Sequence, residues 1–171
     1  MYLLFKMIKS VKFLFKSENI IPYIIIFIIF FLDRFSKIKI LNSFSDTPVY
    51  INNFINLDLI WNTGIGFGLL SLNSPLYYNI ISLIIGSVVI MLLYTLLKLQ
   101  KFEKICFSII IGGALGNFYD RIFFKAVPDF IDMHYGNFHW FTFNLADVFI
   151  SIGIVGFLMK NLFVKKIDEK I

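Results

Sequence analysis

Four acidic residues stand where acid chemistry is possible. Between Gly112 and Asp147 the chain reads GGALGNFYDR, then VPDF, then FNLAD, and Asp120, Asp129, Asp132 and Asp147 fall among apolar segments. A carboxylate in such surroundings is hydrogen-bonded, paired or used. Asp33 lies likewise in an apolar stretch, four residues before Lys37, so that in a helix each can neutralise the other. Asn62, Asn117 and Asn144 add amide donors and acceptors. Two carboxylates, supporting amides and a Lys or Arg at a wet membrane boundary suit acid/base chemistry on water, with one proton shared by the pair.

The residue types alone do not choose the reacting pair from Asp33, Asp120, Asp129, Asp132 and Asp147. Asp120 beside Arg121 reads as a structural charge pair ending a helix, Asp132 as a solvated loop acid, and Asp129 after Pro128 as a turn residue. Asp147 reads as a first-turn acid with Asn144 as its cap. Arg34 and Lys39 read as a charged helix end snorkelling to the interface.

Other hydrolytic chemistries fit poorly. A Ser or Cys nucleophile needs an adjacent base, yet His134 and His139 fall in a different segment from Cys106. His134 and His139 with Asp129 or Asp132 offer metal ligands, but a spacing of five in a short aromatic loop is nonspecific. They read as surface or interfacial histidines, and no metal or cofactor is expected at the site. Cys106, the single cysteine, excludes an intramolecular disulfide and reads as a packed thiol.

The elements that must position these groups are membrane helices. With 58% hydrophobic residues and a mean hydropathy of +0.81, the 171-residue chain exceeds the apolar share of soluble domains and is expected to be one membrane domain. Four spans are read, at 20–40, 76–97, 105–123 and 144–164. A polar, β-rich stretch over 41–74, which ends in NTGIGFG, suggests a small sheet or hairpins outside the bilayer, and 124–143 reads as an outer loop. The fold class is therefore an all-α integral membrane protein with a small extramembrane β-unit after the first helix. Residues 1–17 alternate lysines with apolar residues, as an interfacial helix or a basic topology signal, and 165–171 form a tail.

Lysines cluster near both termini and in the 98–104 loop, whereas the other two loops carry only Lys125. Both termini should therefore be cytoplasmic, and the net charge of +5 sets orientation rather than nucleic-acid binding. At a rise of about 1.5 Å per residue, Asp33 then lies roughly 20 Å and Asp120 roughly 22 Å from the inner side, while Asp147 lies roughly 5 Å below the outer boundary. The polar positions converge on the outer third of the bilayer. A transporter would also place carboxylates within spans, but these cluster at one face instead of forming a relay.

Five blocks in this order, DRFSK, NTGIGFG, GGALGNFYDR, VPDF and FNLAD, resemble the bacterial lipoprotein signal peptidase family, signal peptidase II, over nearly the whole chain. The resemblance implies four transmembrane helices in the bacterial inner (cytoplasmic) membrane, an extramembrane β-cradle, and an aspartic endopeptidase that needs no metal. The implied substrate is a prolipoprotein whose cysteine already bears diacylglycerol, cut on the amino side of that cysteine near the outer leaflet. Asp129 and Asp147 match the catalytic pair. Asp33, Lys37, Asn62, Gly64, Asn117, Asp120, Arg121 and Asn144 match positions that support the site or contact substrate. Membrane lipid, prolipoproteins and globomycin-type inhibitors are the implied partners, with no nucleic acid and a monomeric enzyme. Ile65 and Gly66 replace the usual alanines, and Pro128 replaces a small aliphatic residue.

Overall fold

The computed structural model describes residues 16–43, 47–64 and 75–168. Most of the basic amino-terminal segment, the glycine-rich block from Ile65 onward and the last residues of the tail lie outside that range. A short 3-10 turn, Ser17–Asn19, leads into helix α1, Ile20–Ser43. Strands β1, Val49–Asn52, and β2, Ile55–Asn62, follow. Helices α2, Pro75–Leu96, and α3, Lys101–Phe123, come next. Strands β3, Val127–Tyr135, and β4, Phe138–Phe143, precede helix α4, Leu145–Asp168.

Local sequence explains the boundaries. Pro22 sits in the first turn of α1, where its missing N–H costs nothing. Helix α3 begins four residues before the span read from hydropathy, because Gln100 and Glu103 form a capping box over Lys101 to Lys104. Its last turn closes by a bond from the Phe124 N–H to the Asp120 carbonyl, 2.7 Å.

The segment 124–143 is a β-hairpin and not the expected loop. Its two-residue tip has Gly136 at φ 58°, a conformation that favours glycine. Val127 to Phe130 are buried without a break, so the strand lacks the alternation that marks a half-buried one. The hairpin joins the earlier strands in one antiparallel sheet of order β1-β2-β3-β4. Pairing of β2 with β3, from Ile55 opposite Met133 to Asn62 opposite Val127, ties the segment after α1 to the segment after α3. The fold is thus mostly helical with a four-stranded sheet, half of it contributed after the third helix.

Helix α3 packs against α1, α2 and α4 through small residues. A Cβ on Gly113 would lie 2.6 Å from the Ala146 carbonyl oxygen of α4, and one on Gly116 would run into the Asp33 carboxylate of α1. Small residues at these points let the helices close around the polar groups.

The surface is inverted relative to a water-soluble protein. Ile24, Phe27, Phe31 and Phe35 on α1, Ile90 and Met91 on α2, and Val155 and Leu158 on α4 are exposed, while Asp33 and Asp120 have no exposure at all. Among the described residues, Tyr78–Leu96 and Leu145–Leu162 are long and apolar enough to cross a membrane. Helices α1 and α3 carry the buried charges Asp33, Lys37, Asp120 and Arg121.

Candidate active site

Asp129 lies on β3 and Asp147 in the first turn of α4, and both are held by asparagine amides. Asn62, the last residue of β2, donates through Nδ2 to Asp129 Oδ2 at 2.9 Å. Asn144, immediately before α4, donates through Nδ2 to Asp129 Oδ1 at 2.6 Å. Asn117, on α3, donates through Nδ2 to Asp147 Oδ1 at 2.8 Å. Asn144 also touches the second carboxylate. Its backbone N–H donates to Asp147 Oδ2 at 3.2 Å, and its Oδ1 accepts from the Asp147 N–H at 3.2 Å. This reciprocal cap is why Asn precedes the helix and Asp follows three residues later.

Each amide is oriented by what its oxygen accepts. The Gly64 N–H donates to Asn62 Oδ1 at 2.8 Å, Lys37 Nζ to Asn117 Oδ1 at 2.8 Å, and the Asp147 N–H to Asn144 Oδ1. With the oxygen occupied, the NH₂ end must face a carboxylate.

Behind these amides lies a compact ionic network. Lys37 Nζ donates to Asp33 Oδ2 at 2.9 Å and to Asp120 Oδ2 at 2.7 Å. Arg34 makes a two-pronged contact with Asp120, 2.5 and 2.7 Å, and reaches Asp33 Oδ2 at 3.1 Å. Asp33 Oδ1 accepts from the Ala146 N–H at 3.1 Å, so α1 also anchors the first turn of α4. Arg121 does not pair with its neighbour Asp120. It donates to the Asn117 carbonyl at 3.1 Å and to the Gly64 carbonyl at 3.0 Å, fixing the end of β2 to α3.

Burial at 2% exposure pushes the Asp129 carboxyl up to about 6, and the negative charge of Asp147 adds to this. The bonds from Asn62 and Asn144 oppose the shift by favouring the charged form. Beside Asp147 a cavity of ≈ 280 Å³ is lined by Phe141, Phe143, Val148, Ser151 and Ile152, an apolar recess with one carboxylate at its edge.

The geometry brings together Asp33, Lys37, Asn62, Gly64, Asn117, Asp120, Arg121, Asp129, Asn144 and Asp147. It adds Arg34, whose partner Asp120 is 86 residues away in sequence, so adjacency to Asp33 was the only available signal. Arg34 is not snorkelling: its side chain is 12% exposed and engaged with two carboxylates. Asp132 is not a solvated loop acid. It is 4% exposed and its Oδ2 lies 2.7 Å from His139 Nδ1. The pairing shifts register between Leu57 and Ile60, where the extra residue belongs to β2, so Asp129 and Asp132, three apart on β3, alternate to opposite faces.

A helical scaffold with an apolar exterior, enclosing carboxylates, amides and cations, is a membrane enzyme in layout. A bacterial membrane enzyme solved by the in meso method at 2.3 Å resolution superposes with a TM-score of 0.68 at 28% identity, covering 82% of this chain and 87% of that one. A second, solved at 1.9 Å, gives 0.65 at 28% identity, covering 82% and 92%. Residues 25–163 match the signal peptidase (SPase) II family. The lipoprotein signal peptidase of Pelagibacter ubique (strain HTCC1062) is 45% identical over 152 residues, 86% of this chain and 92% of that protein. That of Anaplasma phagocytophilum (strain HZ) is 39% identical over 150 residues, 85% and 94% respectively. The chain belongs to the signal peptidase II family and is a membrane peptidase.

Proposed function

We propose that this peptidase removes the signal peptide of diacylglyceryl-modified prolipoproteins on the amino side of the lipidated cysteine, using Asp129 and Asp147 to activate water. The observation that carries the reading is the disposition of the three amides. Asn62, Asn117 and Asn144 each turn an NH₂ group to one of these two carboxylates. Asp33 and Asp120 are occupied by Arg34 and Lys37.

Charge balance supports a pair holding one proton. Asp33, Asp120, Asp129 and Asp147 face Arg34, Lys37 and Arg121, so a single proton on the pair makes the set neutral. In a site this buried, neutrality is the least costly state. The ionised carboxylate takes a proton from water as the water attacks the scissile carbonyl, and the protonated carboxyl polarises the carbonyl oxygen. The proton then passes to the leaving nitrogen as the tetrahedral intermediate collapses.

All four helices cross the bacterial inner membrane in this reading, with both termini cytoplasmic and the sheet forming a cradle at the outer leaflet. The buried charges of α1 and α3 are tolerated because they neutralise one another inside the bundle. The diacyl chains of the substrate stay in the lipid, each buried CH₂ contributing about 0.8 kcal/mol to retention. They hold the scissile bond at the depth of the two carboxylates, which is positioning that the active site need not supply. The enzyme acts as a monomer without a cofactor, and globomycin-type cyclic peptides occupy the same site.

The test is turnover of one prolipoprotein in two forms by the purified protein in proteoliposomes, with the product's new amino terminus read by mass spectrometry. Cleavage before the lipidated cysteine, blocked by globomycin and absent for the unlipidated form, is expected. Equal turnover of both forms contradicts the role given to the lipid.

A further inference from the structure

On the face of the sheet away from Asp129, three potential metal ligands converge. The ligand atoms of Asp132, His134 and His139 lie within 4.8 Å of one another. Residues Asp132 and His134 are two apart on β3 and share a face, while His139 stands directly opposite His134 on β4. The two imidazoles stack, with centroids 5.3 Å apart and planes at 22°. Asp132 Oδ2 lies 2.7 Å from His139 Nδ1 and 3.7 Å from His134 Nδ1.

The second distance is too long for a hydrogen bond. His134 is 4% exposed, and its Nδ1 is buried without a hydrogen-bond partner among the described residues. A second orphan stands next to it. Asn56 on β2 is paired with Asp132 in register, hence on the same face, and its Oδ1 is also buried without a partner there. A buried polar atom without a partner is destabilising, so two beside one carboxylate are unusual for a purely structural contact.

We propose that Asp132, His134 and His139 bind a divalent transition-metal ion of the zinc class, with Asn56 Oδ1 or water completing the shell. Two neutral imidazoles and one carboxylate match such an ion in softness and charge. Zinc holds nitrogen and oxygen ligands at about 2.0–2.2 Å, which places them roughly 3.3 Å apart in a tetrahedron. Closing to that spacing takes a small movement of His139, whose side chain is 55% exposed and would exchange its contact with Asp132 for one with the ion. The ion would fasten β3 to β4, and through Asn56 to β2, three residues from Asp129 along the strand. Its role is to hold that strand rather than to react, since the carboxyl of Asp129 belongs to the other face.

The test is calorimetric titration of Zn²⁺ into the full-length, chelator-treated protein in detergent micelles, without a polyhistidine tag. One ion per chain is expected. Loss of even an outer partner of a metal ligand costs about 10–100-fold in affinity, so His139→Ala should weaken binding at least that much. His139 is half-exposed and its loss spares the fold, which circular dichroism checks. His139→Cys should retain binding and give Co²⁺ a thiolate charge-transfer band missing from the wild type. Absence of Zn²⁺ binding by the wild type, or equal affinity in His139→Ala, overturns the proposal.

Discussion

Lys37 Nζ lies 2.8 Å from Asn117 Oδ1, and this contact determines that the Asn117 NH₂ group faces Asp147. The lysine is 1% exposed and also neutralises Asp33 and Asp120. A charge on one helix thereby orients the Asp147 carboxylate on another through an amide on a third. Lys37→Met keeps much of the volume but leaves Arg34 as the remaining cation beside two carboxylates among the described residues. Removing one partner from a buried ionic set costs about 3–5 kcal/mol. Thermal unfolding in detergent should show a clear fall in Tm together with loss of peptidase activity, and an unchanged Tm would mean that the network does not hold the helices.

Gly116 offers a second test of the packing around that network. A Cβ there meets the Asp33 carboxylate, which cannot retreat without breaking its contacts to Lys37 and the Ala146 N–H. Gly116→Ala should therefore destabilise by about 1–3 kcal/mol, as overpacking does. At Gly136 the added methyl meets nothing within 4 Å, and only the positive φ is penalised, by about 1 kcal/mol. Comparing the Tm of both variants separates the two costs, and activity should fall only in Gly116→Ala.

The pH dependence follows from Asp129. Its carboxyl titrates at about 6, so the protonated fraction is lost as pH rises through that value. If Asp129 carries the proton of the pair, the pH–rate profile of kcat/KM has its alkaline limb near there. The Asn62 bond favours the charged form and holds this value down. Asn62→Ala should move the limb upward, by up to about one unit, while lowering the rate about tenfold through loss of a bond to a charged group. A downward movement would contradict the arrangement.

Much of this site was legible in sequence because it is built from short local patterns. The four-residue spacing of Asp33 and Lys37 gave their contact directly, and Asn144 before Asp147 gave the cap. Depth arithmetic brought Asp33, Asp120 and Asp147 together because helical rise is constant. The long-range pairings were not legible. Asp120 has a cation beside it in sequence, Arg121, yet its partners are Arg34 and Lys37, since the fold carries Arg121 toward Gly64 instead. The hairpin of β3 and β4 read as a loop because Asp129, Asp132, His134 and Gly136 are common in loops, and a strand buried over Val127 to Phe130 has no alternation to betray it. The burial of His134 depends on the same hairpin, which is why its spacing from His139 looked uninformative.

The central claim is that Asp129 and Asp147 are the reacting pair. Asparagine at either position keeps the shape and removes the carboxylate. Cleavage of a purified diacylglyceryl prolipoprotein should be followed by gel mobility for the wild type, Asp129→Asn and Asp147→Asn, each first checked for an intact fold by circular dichroism. Loss of cleavage in both variants beside an active, globomycin-sensitive wild type is the result predicted. Cleavage surviving in either variant would contradict it and move the chemistry to another carboxylate.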